Sequence, residues 1–179
     1  MADGKTPAVF FDRDGTIMQD ADYCSDPRDV HVFPFVPDSL RKLKARGYKL
    51  IMVTNQSGVG RGYFRREQYE AVHSEVLRQI GEVLIDATYV CPDPPGVDSQ
   101  CRKPAPGMVL QGAREHKVDL SRSIFVGDKN TDVQCGHNAG IKAIHVRTGF
   151  ETNTGDSGAD WVAEDFAEAT EIILTKFTR

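Results

Sequence analysis

Short apolar runs rich in β-branched and aromatic residues alternate along the chain with longer stretches in which apolar positions recur every three or four residues. The runs are AVFF (8–11), KLIMVT (49–54), ATYV (87–90), SIFVG (123–127) and KAIHV (142–146). Polarity alternates little within them, as expected of strands buried on both faces of a parallel sheet. The intervening stretches predict helices. Residues 37–46 open on Pro-Asp and close on Gly47, a start and stop pair. Over 65–82, Tyr69, Val72, Val76, Leu77 and Ile80 fall on one helix face. Further helices are expected over 106–116, 130–139 and 165–177, the last capped by Asp165. This alternation predicts an α/β fold: a three-layer, Rossmann-like parallel sheet with helices on both faces and right-handed crossovers. There is no internal repeat or low-complexity segment, and 179 residues suit a single domain spanning 1–179.

Open sheets of this kind bind ligands beyond the carboxyl ends of their strands. The residues to read for chemistry are therefore Asp12-Arg13-Asp14-Gly15-Thr16, Thr54-Asn55-Gln56-Ser57-Gly58, Cys91 with its loop to Lys103, and Gly127-Asp128-Lys129. Asp12 and Asp14 are two apart in an extended segment, so both carboxylates can face one pocket. Their repulsion asks for a cation or a shared proton. Asp128 makes the set oxygen-only and carboxylate-rich, which suits Mg²⁺ better than zinc, and Gly15 permits a sharp turn after the pair. Alone, the acidic pair reads as a turn cap. With Lys103 and two Gly-rich turns on the same edge, it reads as a phosphate site.

Composition narrows the partners. The chain is 40% hydrophobic and 27% charged, with a net charge of −4 and a pI near 5.7. That argues against disorder and against nucleic acid, which favours a basic surplus. No apolar run is long enough for a bilayer and the N-terminus lacks a signal-peptide h-region, so no membrane association is expected and the cytoplasm is the expected compartment. Four cysteines in a reducing compartment read as free thiols, with Cys91 and Cys101 the one pair close enough to suggest a metal. Cys24, Cys135 and Trp161 read as packing residues.

DRDGT (12–16), VTNQSG (53–58), RKP (102–104) and GDKNTD (127–132) together resemble the four motifs of the haloacid dehalogenase-type phosphohydrolases, in the family's order and across residues 8–147. The resemblance implies an aspartyl-phosphate mechanism. Asp12 is the nucleophile, Asp14 the general acid and base, Thr54 and Lys103 stabilise the phosphoryl group, and Asp12, Asp14 (through its carbonyl) and Asp128 bind Mg²⁺. Asp132 stays open between orienting Lys129 or a metal-bound water and being a helix-surface carboxylate.

The gaps between motifs leave no room for an inserted cap domain. This capless layout resembles the branch holding the histidinol-phosphate phosphatases and the D-glycero-D-manno-heptose 1,7-bisphosphate 7-phosphatases, and TNQSGVGRGYF (54–64), CRKPAPGM (101–108) and VRTG (146–149) follow the heptose pattern. That resemblance implies a monomer acting on a phosphorylated sugar in nucleotide-activated heptose and lipopolysaccharide core biosynthesis. It implies substrate contacts from Asp20, Asp22, Tyr23, Thr54, Asn55, Gln56, Ser57, Arg102, Lys103 and Lys129. Arg102 offers a planar fork for a second anionic group; Arg61 is a further candidate or a solvated loop charge. The branch's structural zinc loop is incomplete here. Cys91 and Cys101 occupy two ligand positions, but Asp93 and Ser99 occupy the others, so no tight zinc is expected. Competing readings are a histidinol-phosphate phosphatase, a nucleic-acid 3′-phosphatase, which the acidic pI disfavours, and a phospho-receiver module, which lacks its acceptor because the third strand ends in Val90-Cys91.

Overall fold

The computed structural model describes residues 4–81, 83–150 and 157–177. Six parallel strands form one sheet: β1 (Ala8–Phe11), β2 (Lys49–Asn55), β3 (Ala87–Cys91), β4 (Ile124–Gly127), β5 (Lys142–Val146) and β6 (Trp161–Ala163). Their spatial order is β3-β2-β1-β4-β5-β6. The helices are α1 (Val36–Ala45), α2 (Ser57–Gly60), α3 (Arg66–Ile80), α4 (Gly107–Glu115), α5 (Asn130–Asn138) and α6 (Phe166–Lys176). Among the described residues no cap domain interrupts this order. Among the described residues no helix is long and apolar enough to cross a membrane.

The central strands are apolar at consecutive positions because each face meets a helical layer. Val9 and Phe11 of β1, Leu50 and Met52 of β2, and Ile124 and Val126 of β4 join a cluster with Leu40 and Leu43 of α1, Val72 and Val76 of α3 and Ile173 of α6. The alternate residues Phe10, Ile51, Val53 and Phe125 join Met108 and Val109 of α4 and Val133 of α5 on the other face. Every one of these side chains is at least 98% buried. Burial of this kind contributes roughly 1.5–3 kcal/mol per large apolar side chain.

The expected helix signals operate. Asp165 caps α6 by accepting from the Glu168 N–H at 2.9 Å, and Gly47 closes α1 with φ +84°. Of the helix expected over 65–82, α3 realises 66–80, and Glu82 lies outside the described residues. Two elements escape the sequence pattern. β6 has three residues, too few for a periodic signal, and pairs in parallel with β5. α2 reads SGVG, whose glycines disfavour a helix.

The order places β1 between β2 and β4, where the connections leave in opposite directions. The loops after these strands diverge and leave a crevice at their carboxyl ends. Asp12, Thr54 and Asp128 sit there.

Candidate active site

Asp12 follows β1 directly, its N–H bonded to Val126 O at 3.1 Å, so it is held level with the end of β4. The chain then turns at Gly15, with φ +80°. A Cβ there would stand 2.4 Å from Asp128 Oδ2, so glycine is needed both for the turn and for the close approach. Gly149 approaches Asp128 as tightly, and the Thr148 hydroxyl donates to Gly15 O at 2.6 Å. Two backbone segments thus wall in one carboxylate.

Lys103 is the hub of the site. The residue is 3% exposed, and its ammonium has three acceptors for its three protons: Val53 O at 3.0 Å, Asp12 Oδ1 at 2.8 Å and Asp132 Oδ1 at 2.7 Å. Burial opposes its charge, but Asp12 and Asp132 outweigh burial and hold the ammonium above its usual range. Asn55 places it from β2: its side chain accepts from the Lys103 N–H at 3.1 Å and donates to the Lys103 carbonyl at 3.3 Å. Asp132 is fully buried, which rules out its helix-surface reading. Besides Lys103, it accepts from the Lys129 N–H at 3.1 Å.

Asp14 lies in the same cavity as Asp12 but is held differently. Arg13, itself fully buried, donates from Nε and Nη2 to the Asp14 carboxylate at 3.0–3.3 Å. Gln56 Nε2 donates to Asp14 Oδ2 at 2.7 Å and also to the Thr54 hydroxyl at 2.9 Å. Burial favours protonated Asp14, yet the Arg13 charge and these hydrogen bonds hold it below the usual carboxylate range. Asp12 moves the other way: burial raises it, with Lys103 opposing and Asp132 adding. The expected nucleophile and the expected general acid and base therefore sit in contrasting environments.

The cavity, about 240 Å³, is also lined by Asp20, Asp22, Tyr23, Asn55, Ser57, Arg102 and Lys129. Thr54 lies beneath it, fully buried. Asp22 and Tyr23 have φ of 42° and 60°, an uncommon conformation outside glycine. Asp20 secures that turn by accepting from the Asp22 N–H at 3.1 Å and pairing with Lys129 at 3.3 Å. Arg13 and Thr16, which the sequence places at the strand end without a role, acquire one here. The signal was available: a cation between two aspartates, and a hydroxyl after the turning glycine that donates to Asp128 Oδ1 at 3.0 Å.

The acidic set fits a hard divalent cation. Oxygens of Asp12, Asp128 and Asp132 lie within 4.8 Å of one another, all buried. Asp128 Oδ2 is buried without a hydrogen-bond partner. Burial, then Asp132 and Asp12, push the Asp128 carboxyl up to about 8. An all-oxygen donor set with excess negative charge suits Mg²⁺. The Asp14 carboxylate is committed to Arg13 and Gln56, so it stands apart from this set.

The 91–101 loop corrects one expectation. Cys91 and Cys101, read as free thiols, are joined in a disulfide with Cα atoms 5.5 Å apart. A reducing compartment favours free thiols, but the path of the loop back to β3 brings the two residues within bonding reach. Asp93 and Ser99 gather beside them, the Ser99 hydroxyl donating to Asp93 at 2.7 Å. Cys24 and Cys135 are free and buried, as expected.

The family model described as "HAD-hyrolase-like" matches residues 100–169. The D-glycero-D-manno-heptose-1,7-bisphosphate 7-phosphatase of Thermosynechococcus vestitus is 38% identical over 94% of this chain and 96% of its own length. The Haemophilus influenzae D-glycero-beta-D-manno-heptose-1,7-bisphosphate 7-phosphatase is 39% identical over 93% of this chain and 96% of its own. Among solved structures, the D,D-heptose 1,7-bisphosphate phosphatase of B. bronchiseptica, complexed with magnesium and phosphate, superposes with a TM-score of 0.86 at 32% identity, covering 95% of this chain and 99% of that one. With such similarity along nearly its whole length, the chain is a phosphoric monoester hydrolase and belongs to the haloacid dehalogenase-type phosphohydrolases, in the family of the heptose-bisphosphate phosphatases.

Proposed function

We propose that this chain, working as a single domain over residues 1–179 and as a cytoplasmic monomer, is a Mg²⁺-dependent phosphatase that removes the 7-phosphate of D-glycero-D-manno-heptose 1,7-bisphosphate. The product would serve nucleotide-activated heptose and lipopolysaccharide core biosynthesis. The observation that carries the reading is the strand-end constellation: Asp12 held 2.8 Å from the Lys103 ammonium, beside the Asp128 carboxylate, in a chain whose full-length relatives bear this activity in their names.

In this reading Asp12 attacks phosphorus and becomes an aspartyl phosphate, dividing hydrolysis into two easier displacements. Asp14, ionised beside Arg13 in the free site, takes up a proton from solvent as the dianionic substrate binds, gives it to the departing sugar oxygen and then takes one from the attacking water. Gln56 and Arg13 hold its carboxylate at the cavity. Lys103 keeps its ammonium against the nucleophile and the transferring group, while Thr54 and Lys129 supply further donors to phosphoryl oxygens. Asp12, Asp128 and the Asp14 carbonyl would hold Mg²⁺, which supplies charge neutralisation on the phosphoryl oxygens when bound. Asp20, Asp22, Tyr23, Asn55, Ser57 and Arg102 contact the sugar and its second phosphate.

The test is Asp12→Asn, which leaves size and burial unchanged but cannot form an acyl phosphate. Phosphate release from the heptose bisphosphate should fall to background. Substantial steady-state turnover by the purified variant would remove Asp12 from the nucleophile's role, and with it this mechanism.

A further inference from the structure

Arg61 follows α2 at the rim of the active site. Its guanidinium carbon lies 5.8 Å from the centroid of the Tyr63 ring, and its Nη1 donates to the Tyr63 hydroxyl at 3.3 Å. Tyr63 in turn meets Tyr23 edge-on, with centroids 4.9 Å apart, and Tyr23 lines the active-site cavity. The segment carrying Arg61 is pressed into place from two sides. A Cβ on Gly58 would stand 2.9 Å from the Tyr23 ring, and one on Gly60 would stand 2.3 Å from Pro92 O. Arg61 is thus fixed between the 20–23 turn and the loop that leads to Arg102.

Arg102 is the second guanidinium of this rim. It lines the cavity and is oriented by a bond from Nη1 to Asp93 O at 2.9 Å. Several surface arginines meet carboxylates, Arg28 with Asp26, Arg66 with Glu70, Arg78 with Glu75 and Arg122 with Asp119, whereas Arg46, Arg65 and Arg114 meet none among the described residues. Arg61 and Arg102 have none within ion-pair distance among the described residues, and their bonds go to a hydroxyl and a carbonyl. Burial, and then the charge of Arg61, hold Arg102 below the usual guanidinium range, so the two cations are near enough to repel. The cations at the cavity floor differ, since Lys103 and Lys129 are each paired with carboxylates. Two unneutralised forks beside an aromatic pair make a site for an anion attached to an apolar-faced ring.

We propose that Arg61, braced on Tyr63, is a specificity-determining residue that joins Arg102 in binding the remote phosphate of a sugar bisphosphate, with Tyr23 and Tyr63 walling the sugar. This deepens the heptose-bisphosphate reading and rests on it. The contact is remote from the transferring phosphorus, so its binding energy goes to capture and orientation of the substrate. The arm also explains why the chain needs no cap domain to select its substrate, because the rim supplies the second recognition point from its own loops.

The experiment compares wild type, Arg61→Gln and Arg61→Lys on three substrates: heptose 1,7-bisphosphate, the same heptose carrying only the 7-phosphate, and p-nitrophenyl phosphate. Arg61 is exposed, so the substitutions leave the fold intact. Arg61→Gln should raise KM for the bisphosphate roughly tenfold or more, with kcat/KM on both monophosphates changing less than about twofold. Arg61→Lys keeps the charge but loses the planar fork, and should fall between. Equal losses on all three substrates, or none on any, would overturn the assignment. A wild type that uses the bisphosphate no better than the 7-monophosphate would overturn the substrate reading itself, and this inference with it. The two failures are told apart by which enzyme shows them.

Discussion

Replacing Lys103 with methionine keeps a long side chain in its slot against Phe125 but removes all three of its donors. Asp12 and Asp132 then lose the ammonium that sits 2.8 and 2.7 Å from them. Removing one partner of a buried ion pair costs about 3–5 kcal/mol, because the other charge is left uncompensated. At about 2–4 °C per kcal/mol for a chain of this size, the melting temperature should drop by roughly 6–20 °C. The loss should depend on pH with a definite sign. Burial already raises Asp12, and without Lys103 its folded-state pKa rises further above the unfolded value. A carboxyl whose pKa is raised on folding destabilises the fold above that pKa and ceases to do so once protonated. The penalty should therefore be largest at about pH 8 and shrink towards about pH 5.5. Urea denaturation of both proteins in EDTA at the two pH values measures it without interference from metal. A deficit under about 1 kcal/mol at the higher pH, no more than an ordinary hydrogen bond, would refute the reasoning. So would equal deficits at both. Turnover should fall by about 10²–10³, the usual effect of losing one charge-stabilising donor.

His73 stacks on Tyr69, and burial followed by the Arg13 charge lowers its pKa to about 4. The unfolded chain therefore binds the extra proton first, so stability is full above the ordinary histidine pKa and lost as pH falls towards 4. The loss amounts to about 2 kcal/mol between pH 7 and pH 5. His73→Phe should flatten that part of the stability curve, and an unchanged slope in urea melts would count against it. Opening the Cys91–Cys101 disulfide, by reductant or as Cys91→Ser/Cys101→Ser, should lower stability by about 2–3 kcal/mol, the loop-closure entropy for a bridge spanning ten residues. Equal urea midpoints with and without reductant would refute that.

Much of the fold was legible because strands buried on both faces cannot hide. Phe10 and Phe11 must both be apolar when helices cover each side of β1, and the same holds for β2 and β4. The ligand edge followed, since the residues after such strands lie at one end of the sheet. Asp12, Thr54 and Asp128 could be placed there from local pattern alone. The short β6 and the glycine-rich α2 stayed hidden, because three or four residues carry no period, and both are held by what they pack against.

The sequence by itself determined which chemical groups each strand end and loop would offer. Only the tertiary structure decided what those groups face. Asp132 could be a surface carboxylate until the first turn of α5 is seen to close over the end of β4 and point it at Lys103. Arg13 was silent between two aspartates until burial is seen to press it onto Asp14. Cys91 and Cys101 were two thiols until the loop path brought their Cα atoms to 5.5 Å. The physical reason is common to all three. Burial, pKa and bonding depend on distances between residues far apart in the chain, and local periodicity reports which way a side chain leaves its own backbone but not what waits on the other side.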